Sequence, residues 1–171
     1  YTLHWKSTID AKDVSTYTFY DYSGTFWYAD AHHKAQEIIG DSIVVKNTST
    51  GREYDATALG EALTLNYTSG KTDGFGKDLG LFSIDFSKVA GIEGPLTIEY
   101  DTTVGLTGLP EKFSGDVVNS CQLNNGEVAS AQTSITNEKD QQKYFAKFAG
   151  NGKDDWSNFG KTSGSMSFND L

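Results

Sequence analysis

Residues 1–10 read YTLHWKSTID, and the alternation in this stretch decides the fold. Leu3, Trp5, Ser7 and Ile9 fall on one side of an extended chain and His4, Lys6 and Thr8 on the other. The two-residue period is that of a strand, and the bulk of Leu3, Trp5 and Ile9 fixes which face is buried.

The same period recurs along the chain. STYTFYDYSG (15–24) places Tyr17, Phe19 and Asp21 on one side and Thr18, Tyr20 and Tyr22 on the other. IIGDSIVVKNTSTGREYDA (38–56) reads as a strand, a polar turn at Asn47 to Gly51 and a return strand. Further runs are EALTLNYTSG (61–70), GLFSIDFSKV (80–89), GPLTIEYDTTVG (94–105), SGDVVNSCQL (114–123) and GEVASAQTSIT (126–136), separated by Gly, Asn and Asp turn signals. Roughly nine or ten short strands at this spacing predict an all-β fold, an antiparallel immunoglobulin-like β-sandwich. Helix is expected to be minor, a turn or two near Ala31 to Glu37.

Residues 1–136 are expected to form the sandwich. The remainder, 137–171, is a C-terminal strand and linker that completes it or begins a following repeat. NEKDQQ (137–142) is a polar hinge, KYFAKFAGNG (143–152) one more strand, and the Gly/Ser-rich stretch after it ends in a strand at SMSF (165–168).

Composition narrows the function. Hydrophobic residues at 37% and aromatics at 13% of 171 residues suffice for a packed core. A net charge of −9 opposes nucleic acid, whose phosphates reward clustered Lys and Arg. Cys121 is the single cysteine, so no intramolecular disulfide forms and a secreted domain needs a large core or another staple. No apolar run approaches the roughly 18–20 residues of a membrane span, and the first residues lack the plan of a signal peptide. The segment is read as extracellular, without membrane contact of its own, any targeting signal or anchor lying outside it.

In order, LHWKSTID (3–10), YTFYD (17–21), GDSIVV (40–45), PLTIEYDTTV (95–104) and VVNSCQL (117–123) resemble the successive strands of collagen-adhesin-type (CnaA-like) immunoglobulin modules of Gram-positive surface proteins and pilins. The resemblance covers roughly residues 1–136. It implies a cell-wall-attached structural or adhesin module, with neighbouring repeats and a host matrix protein or glycan as partners. It also implies a spontaneous isopeptide bond, in which a Lys attacks an Asn side chain with help from an acid. Carried onto this sequence, the acid falls on Asp21 and the amide on Asn119. The segment most like the family's Lys-bearing opening strand is KYFAKFAG (143–150), displaced here to the C-terminal end.

Parity bears on the amine. Lys147 shares a face with Phe145, whereas Trp5 and Ile9 push Lys6 to the outer face. Lys147 is therefore placed ahead of Lys6, with Lys143, on the same face as Lys147, as a further alternative. Burial disfavours the charged form of a lysine and frees its amine for attack. It also raises the pKa of Asp21, so that a protonated carboxyl hydrogen-bonds and polarises the Asn119 carbonyl. Confinement supplies the effective molarity, and neither cofactor nor external energy is required. Such a chain is no enzyme beyond its own cross-linking.

Other constellations read as structural. His32 and His33 beside Asp30 point to opposite faces of an extended chain and signal no third metal ligand. Glu99 and Asp101 share the solvated face of TIEYD, with Glu99 a fallback for the acid. Asp73 and Asp78 in GKTDGFGKDLG (70–80) lack the ligand order of a calcium loop. Cys121 reads as a buried, inert thiol, since adjacent Gln122 cannot close a thioester ring with it. Trp27 and Tyr28 in GTFWYA (24–29) are candidates for a protein- or glycan-binding platform.

Overall fold

The structure is a computed structural model and describes residues 1–28, 30–72, 78–105, 113–126, 128–137 and 163–167. Among them are twelve strands: β1 (Thr2–Ile9), β2 (Thr18–Ser23), β3 (Thr25–Tyr28), β4 (Ala31–Lys34), β5 (Glu37–Asn47), β6 (Glu53–Asp55), β7 (Leu63–Leu65), β8 (Gly80–Asp85), β9 (Leu96–Thr103), β10 (Phe113–Leu123), β11 (Val128–Asn137) and β12 (Ser163–Ser167). One five-stranded sheet runs β12-β1-β9-β5-β6 and a second runs β11-β10-β2-β8-β7, with β3 and β4 forming a separate two-stranded ribbon. Every pairing is antiparallel except β1 with β12. The expected all-β sandwich is the fold observed.

Alternation decides what lies between the sheets. On β1, Leu3, Trp5, Ser7 and Ile9 are fully buried while Lys6 is exposed. From the facing sheet come Phe19 of β2 and Phe82 of β8, whose rings lie 5.6 Å apart, and Phe82 meets Tyr100 of β9 edge-on at 4.7 Å. Aromatic contacts of this geometry contribute roughly 0.5–1.5 kcal/mol beyond the area they bury. The indole of Trp5 donates to Thr102 Oγ1 (2.8 Å) and Gln36 Oε1 (3.1 Å), so its one polar atom is satisfied inside the core.

The turn at Asn47 to Gly51 forms for local reasons. Asn47 Oδ1 accepts from the backbone N–H of Ser49 and Thr50, and Gly51 takes a φ of +78° that a side chain would resist.

Helix occurs elsewhere than expected. Residues 31–34 are β4, in register with β3 from Tyr28 opposite Ala31 to Thr25 opposite Lys34. Asp30, at a φ of +59°, reverses the chain between them. Among the described residues the one α-helical turn, α1, covers Ala56–Leu59, where the Asp55 side chain accepts from Ala58 N (2.8 Å). An Asp cap before a short run of good helix formers outweighs the weak helical reading of AHHK. Phe86–Lys88 and Gly60–Ala62 are 3₁₀ turns.

A strand, β12, occupies Ser163–Ser167 and overlaps the final strand expected at SMSF (165–168). It runs parallel to β1, with Trp5 opposite Gly164 and Ser7 opposite Met166, and it also lies near β11. The strand expected over 143–152 lies outside the described residues.

Candidate functional site: a buried Asp–Tyr–Asn ring

The pairing of β2 with β10 sets Cys121 opposite Asp21 and Asn119 opposite Ser23. Asn119 and Asp21 are thus diagonal neighbours on one face of the sheet, within reach of each other's side chains. That face is the interior, and both residues are completely buried. Tyr100 reaches them from the facing sheet, where it is paired with Trp5 across β1 and β9, and it too is completely buried.

The three polar ends form a ring. Tyr100 Oη lies 2.6 Å from Asp21 Oδ1 and 2.8 Å from Asn119 Oδ1, and Asn119 Nδ2 donates to Asp21 Oδ2 at 3.0 Å. Proton counting settles the charge. Three oxygen or nitrogen contacts of this length need three protons, of which the phenol supplies one and the amide another. The third has to be the carboxyl's own: Asp21 donates from Oδ1 to Tyr100, Tyr100 donates to the Asn119 carbonyl, and the Asn119 amide returns to Asp21 Oδ2. An ionised Asp21 would leave two acceptor oxygens facing one shared proton.

The surroundings favour the same state. Burial pushes the Asp21 carboxyl well above the ordinary carboxylate range, against the opposing pull of its hydrogen bonds with Tyr100 and Asn119. Burial and the neighbouring Asp21 raise the Tyr100 phenol well above its usual value. Cys121 lies beside the ring, its Sγ 3.8 Å from Ser7 Oγ. Its thiol is pushed up by burial and then by Asp21, which suits an inert thiol and not a nucleophile.

One detail departs from expectation. The Asn119 carbonyl is contacted by Tyr100, and Asp21 meets the amide nitrogen instead. The parity of TIEYD places Tyr100 inside with Ile98 and Thr102, but does not show what its hydroxyl meets. A tyrosine in a β-core usually reads as packing, and only the facing strand reveals what its hydroxyl meets.

The amine positions separate cleanly. Lys6 is exposed on the outer face opposite Glu99, as parity required. Lys34 Nζ is held by the Gly80 carbonyl (3.3 Å) and Glu37 (3.5 Å). Among the described residues no lysine hydrogen-bonds Asp21 or Asn119. Lys143 and Lys147 lie outside the described residues.

The remaining candidates are spread over the surface. Glu99 and Asp101 face outward and share His4, at 3.2 Å from Nε2 and 2.7 Å from Nδ1, so Glu99 is not at the ring. Burial alone would raise the Asp78 carboxyl, but Ser69, Gly80 and Gly70 donate to it and bring it to about 2. That carboxylate closes a loop; Asp73 lies outside the described residues. His32 and His33 split to opposite sides of the ribbon, His32 against Trp27 at 4.8 Å and His33 stacked on Tyr28 at 3.7 Å. Among the described residues no group of three His, Cys, Asp or Glu side chains is placed to hold a metal ion. Trp27 is 59% exposed and Tyr28 half-buried, and as neighbours on a strand they present to different sides. No helix among the described residues is long and apolar enough to cross a membrane.

No protein-family model matches the chain, and no curated protein matches it. Among solved structures the chain is similar to the crystal structure of ACE19, the collagen-binding subdomain of Enterococcus faecalis surface protein ACE. The identity is 13% and the TM-score 0.32, over 80% of this chain and 96% of that one.

Proposed function

We propose that this chain is a structural module of an extracellular, cell-wall-attached surface protein of a Gram-positive bacterium, stapled by a spontaneous isopeptide bond between Lys147 and Asn119. The observation that carries the reading is the buried ring, which presents a carboxamide beside an acid that proton counting makes neutral. Burial holds the Asp21 carboxyl in the neutral state that closes the ring. An acid for amide exchange needs that state.

In the reaction the neutral amine of Lys147 attacks Asn119 Cγ, the bond from Cγ to Nδ2 breaks, ammonia leaves, and Asp21 transfers the protons. The pairing of β12, which follows Lys147 in the sequence, with β1 of the same chain supports closure within one chain. The loop closed between residues 119 and 147 is short. The main effect of the bond is therefore to lock the last strand against peeling, more than to remove denatured-state entropy.

Intact mass tests the bond. Wild-type protein is expected to weigh one ammonia, about 17 Da, less than its sequence, while Asn119→Ala and Lys147→Ala differ from the sequence mass only by their substitutions. An unmodified wild-type mass sinks the cross-link. A deficit kept in Lys147→Ala moves the amine to Lys143.

A second reading is a binding module for a host matrix protein or glycan, favoured by Trp27. A tryptophan at 59% exposure, edge-on to His32 on a ribbon outside both sheets, is a surface anchor and not core. Against immobilised collagen and a panel of polysaccharides, Trp27→Ala is expected to weaken any wild-type binding by at least about tenfold. Equal binding by the two proteins removes Trp27 from the interface.

A further inference from the structure

We propose that Tyr100 is a catalytic residue of the cross-linking reaction, relaying a proton from Asp21 to the Asn119 carbonyl oxygen. The inference rests on the isopeptide reading above and assigns a role that the Lys, Asn and acid alone leave empty. Polarising an amide requires a donor at its oxygen, and the atom there is Tyr100 Oη at 2.8 Å. Asp21 is held at the amide nitrogen by Oδ2 and touches the phenol with Oδ1.

The ring divides the work between the two carboxyl oxygens. As Lys147 Nζ adds to Asn119 Cγ, negative charge builds on Oδ1. Tyr100 passes its proton there and takes the Asp21 Oδ1 proton in the same movement, so no charged phenolate is left in the core. Asp21 becomes a carboxylate at the moment the attacking nitrogen becomes cationic. Its Oδ2, already 3.0 Å from Asn119 Nδ2, takes the surplus ammonium proton and hands it to that nitrogen. The C–N bond breaks, ammonia departs, and the oxygen proton returns through Tyr100 to Asp21 as the carbonyl reforms. Amine and carboxamide have become secondary amide and ammonia, and both Tyr100 and Asp21 end as they began.

The measurement is the rate of ammonia loss by intact mass, on chains made by cell-free synthesis and quenched in denaturant at intervals. Tyr100→Phe keeps the ring that packs on Phe82 and removes only the relay. Its cross-linking is expected to slow by about 100-fold, the usual cost of losing a donor to a developing oxyanion. A Tyr100→Phe rate within about threefold of wild type overturns the relay while leaving the cross-link intact. A wild-type chain that keeps its ammonia overturns the cross-link and the relay with it. Thermal melting of each variant separates slow chemistry from failure to fold.

A second readout does not require turnover. In the unreacted Lys147→Ala protein, the infrared C=O stretch of a protonated carboxyl, absent once Asp21→Asn is added, is expected to shift when Tyr100→Phe removes its hydrogen-bond partner. An unmoved band overturns the relay, including where Tyr100→Phe folds poorly in the wild-type background.

Discussion

Asp21→Asn is expected to leave the protein folded and its mass at the full sequence value, because the substitution preserves the hydrogen-bond ring and removes the chemistry. An amide at position 21 donates to Tyr100 where the carboxyl hydroxyl did and accepts from Asn119 Nδ2 where the carbonyl did, so every buried polar atom keeps a partner. It cannot release and retake a proton at neutral pH. Cross-linking should fall by at least about 100-fold, within the range that general acid–base groups contribute. Asp21→Ala opens the ring as well: Tyr100 still donates to Asn119 Oδ1, but the Asn119 amide nitrogen loses its acceptor at a cost of roughly 1–3 kcal/mol. Intact mass and urea midpoints measured together distinguish the two. An Asp21→Asn protein that still loses ammonia removes Asp21 from the reaction.

The same substitution carries a pH signature. Asp21 has its folded pKa raised by burial, so the native state holds a proton that the unfolded chain releases above about pH 4. Stability from this group is fully present below the unfolded value and declines as pH rises toward the folded one. The slope reaches at most about 1.4 kcal/mol per pH unit. In the Lys147→Ala background, where no covalent bond intervenes, the Asp21 protein should lose stability relative to Asp21→Asn between pH 4 and 8. Parallel curves over that range would mean that Asp21 is ionised in the fold.

Trp5→Ala is expected to cost about 3–5 kcal/mol, read as a fall in urea midpoint, the largest purely structural effect in the molecule. Trp5 is fully buried, packs between the sheets, and is in register with Tyr100, so the void opens beside Tyr100. Its indole N–H also leaves Thr102 and Gln36 to each other. Against a total stability of about 5–15 kcal/mol for an ordinary domain, the loss brings the uncross-linked fold near its limit. Trp5→Phe should recover most of the packing and lose chiefly the hydrogen bonds. A Trp5→Ala loss under about 1 kcal/mol would mean that the indole does not sit in close-packed surroundings.

Which of these features could be seen in the sequence depended on the range of the interaction behind them. The buried face of β1 follows from Leu3, Trp5 and Ile9 alone, and the Asn47 to Gly51 reversal from Asn and Gly chemistry, because both are local. Asp21 and Asn119 were assigned inward positions by alternation, and the registry of β2 with β10 makes them neighbours. The role of Tyr100 is not legible in the sequence because its partner lies across the sandwich, 79 residues away at Asp21, where no periodicity within one strand reports it. The ribbon of β3 and β4 is illegible in the sequence for a related reason: AHHK has no strong propensity, and pairing with TFWY across the reversal at Asp30 decides its conformation.

The parallel pairing of β1 with β12 sets how the module meets tension. In a parallel pair, the leading end of one strand and the trailing end of the other lie at opposite ends of the ladder. A pull between Tyr1 and the chain beyond Ser167 is therefore directed along both strands in opposite senses. The hydrogen bonds from His4 opposite Ser163 to Thr8 opposite Ser167 are loaded in shear, all at once, instead of being unzipped one after another. A strand pair arranged this way resists force as a unit even before any covalent bond shares the load.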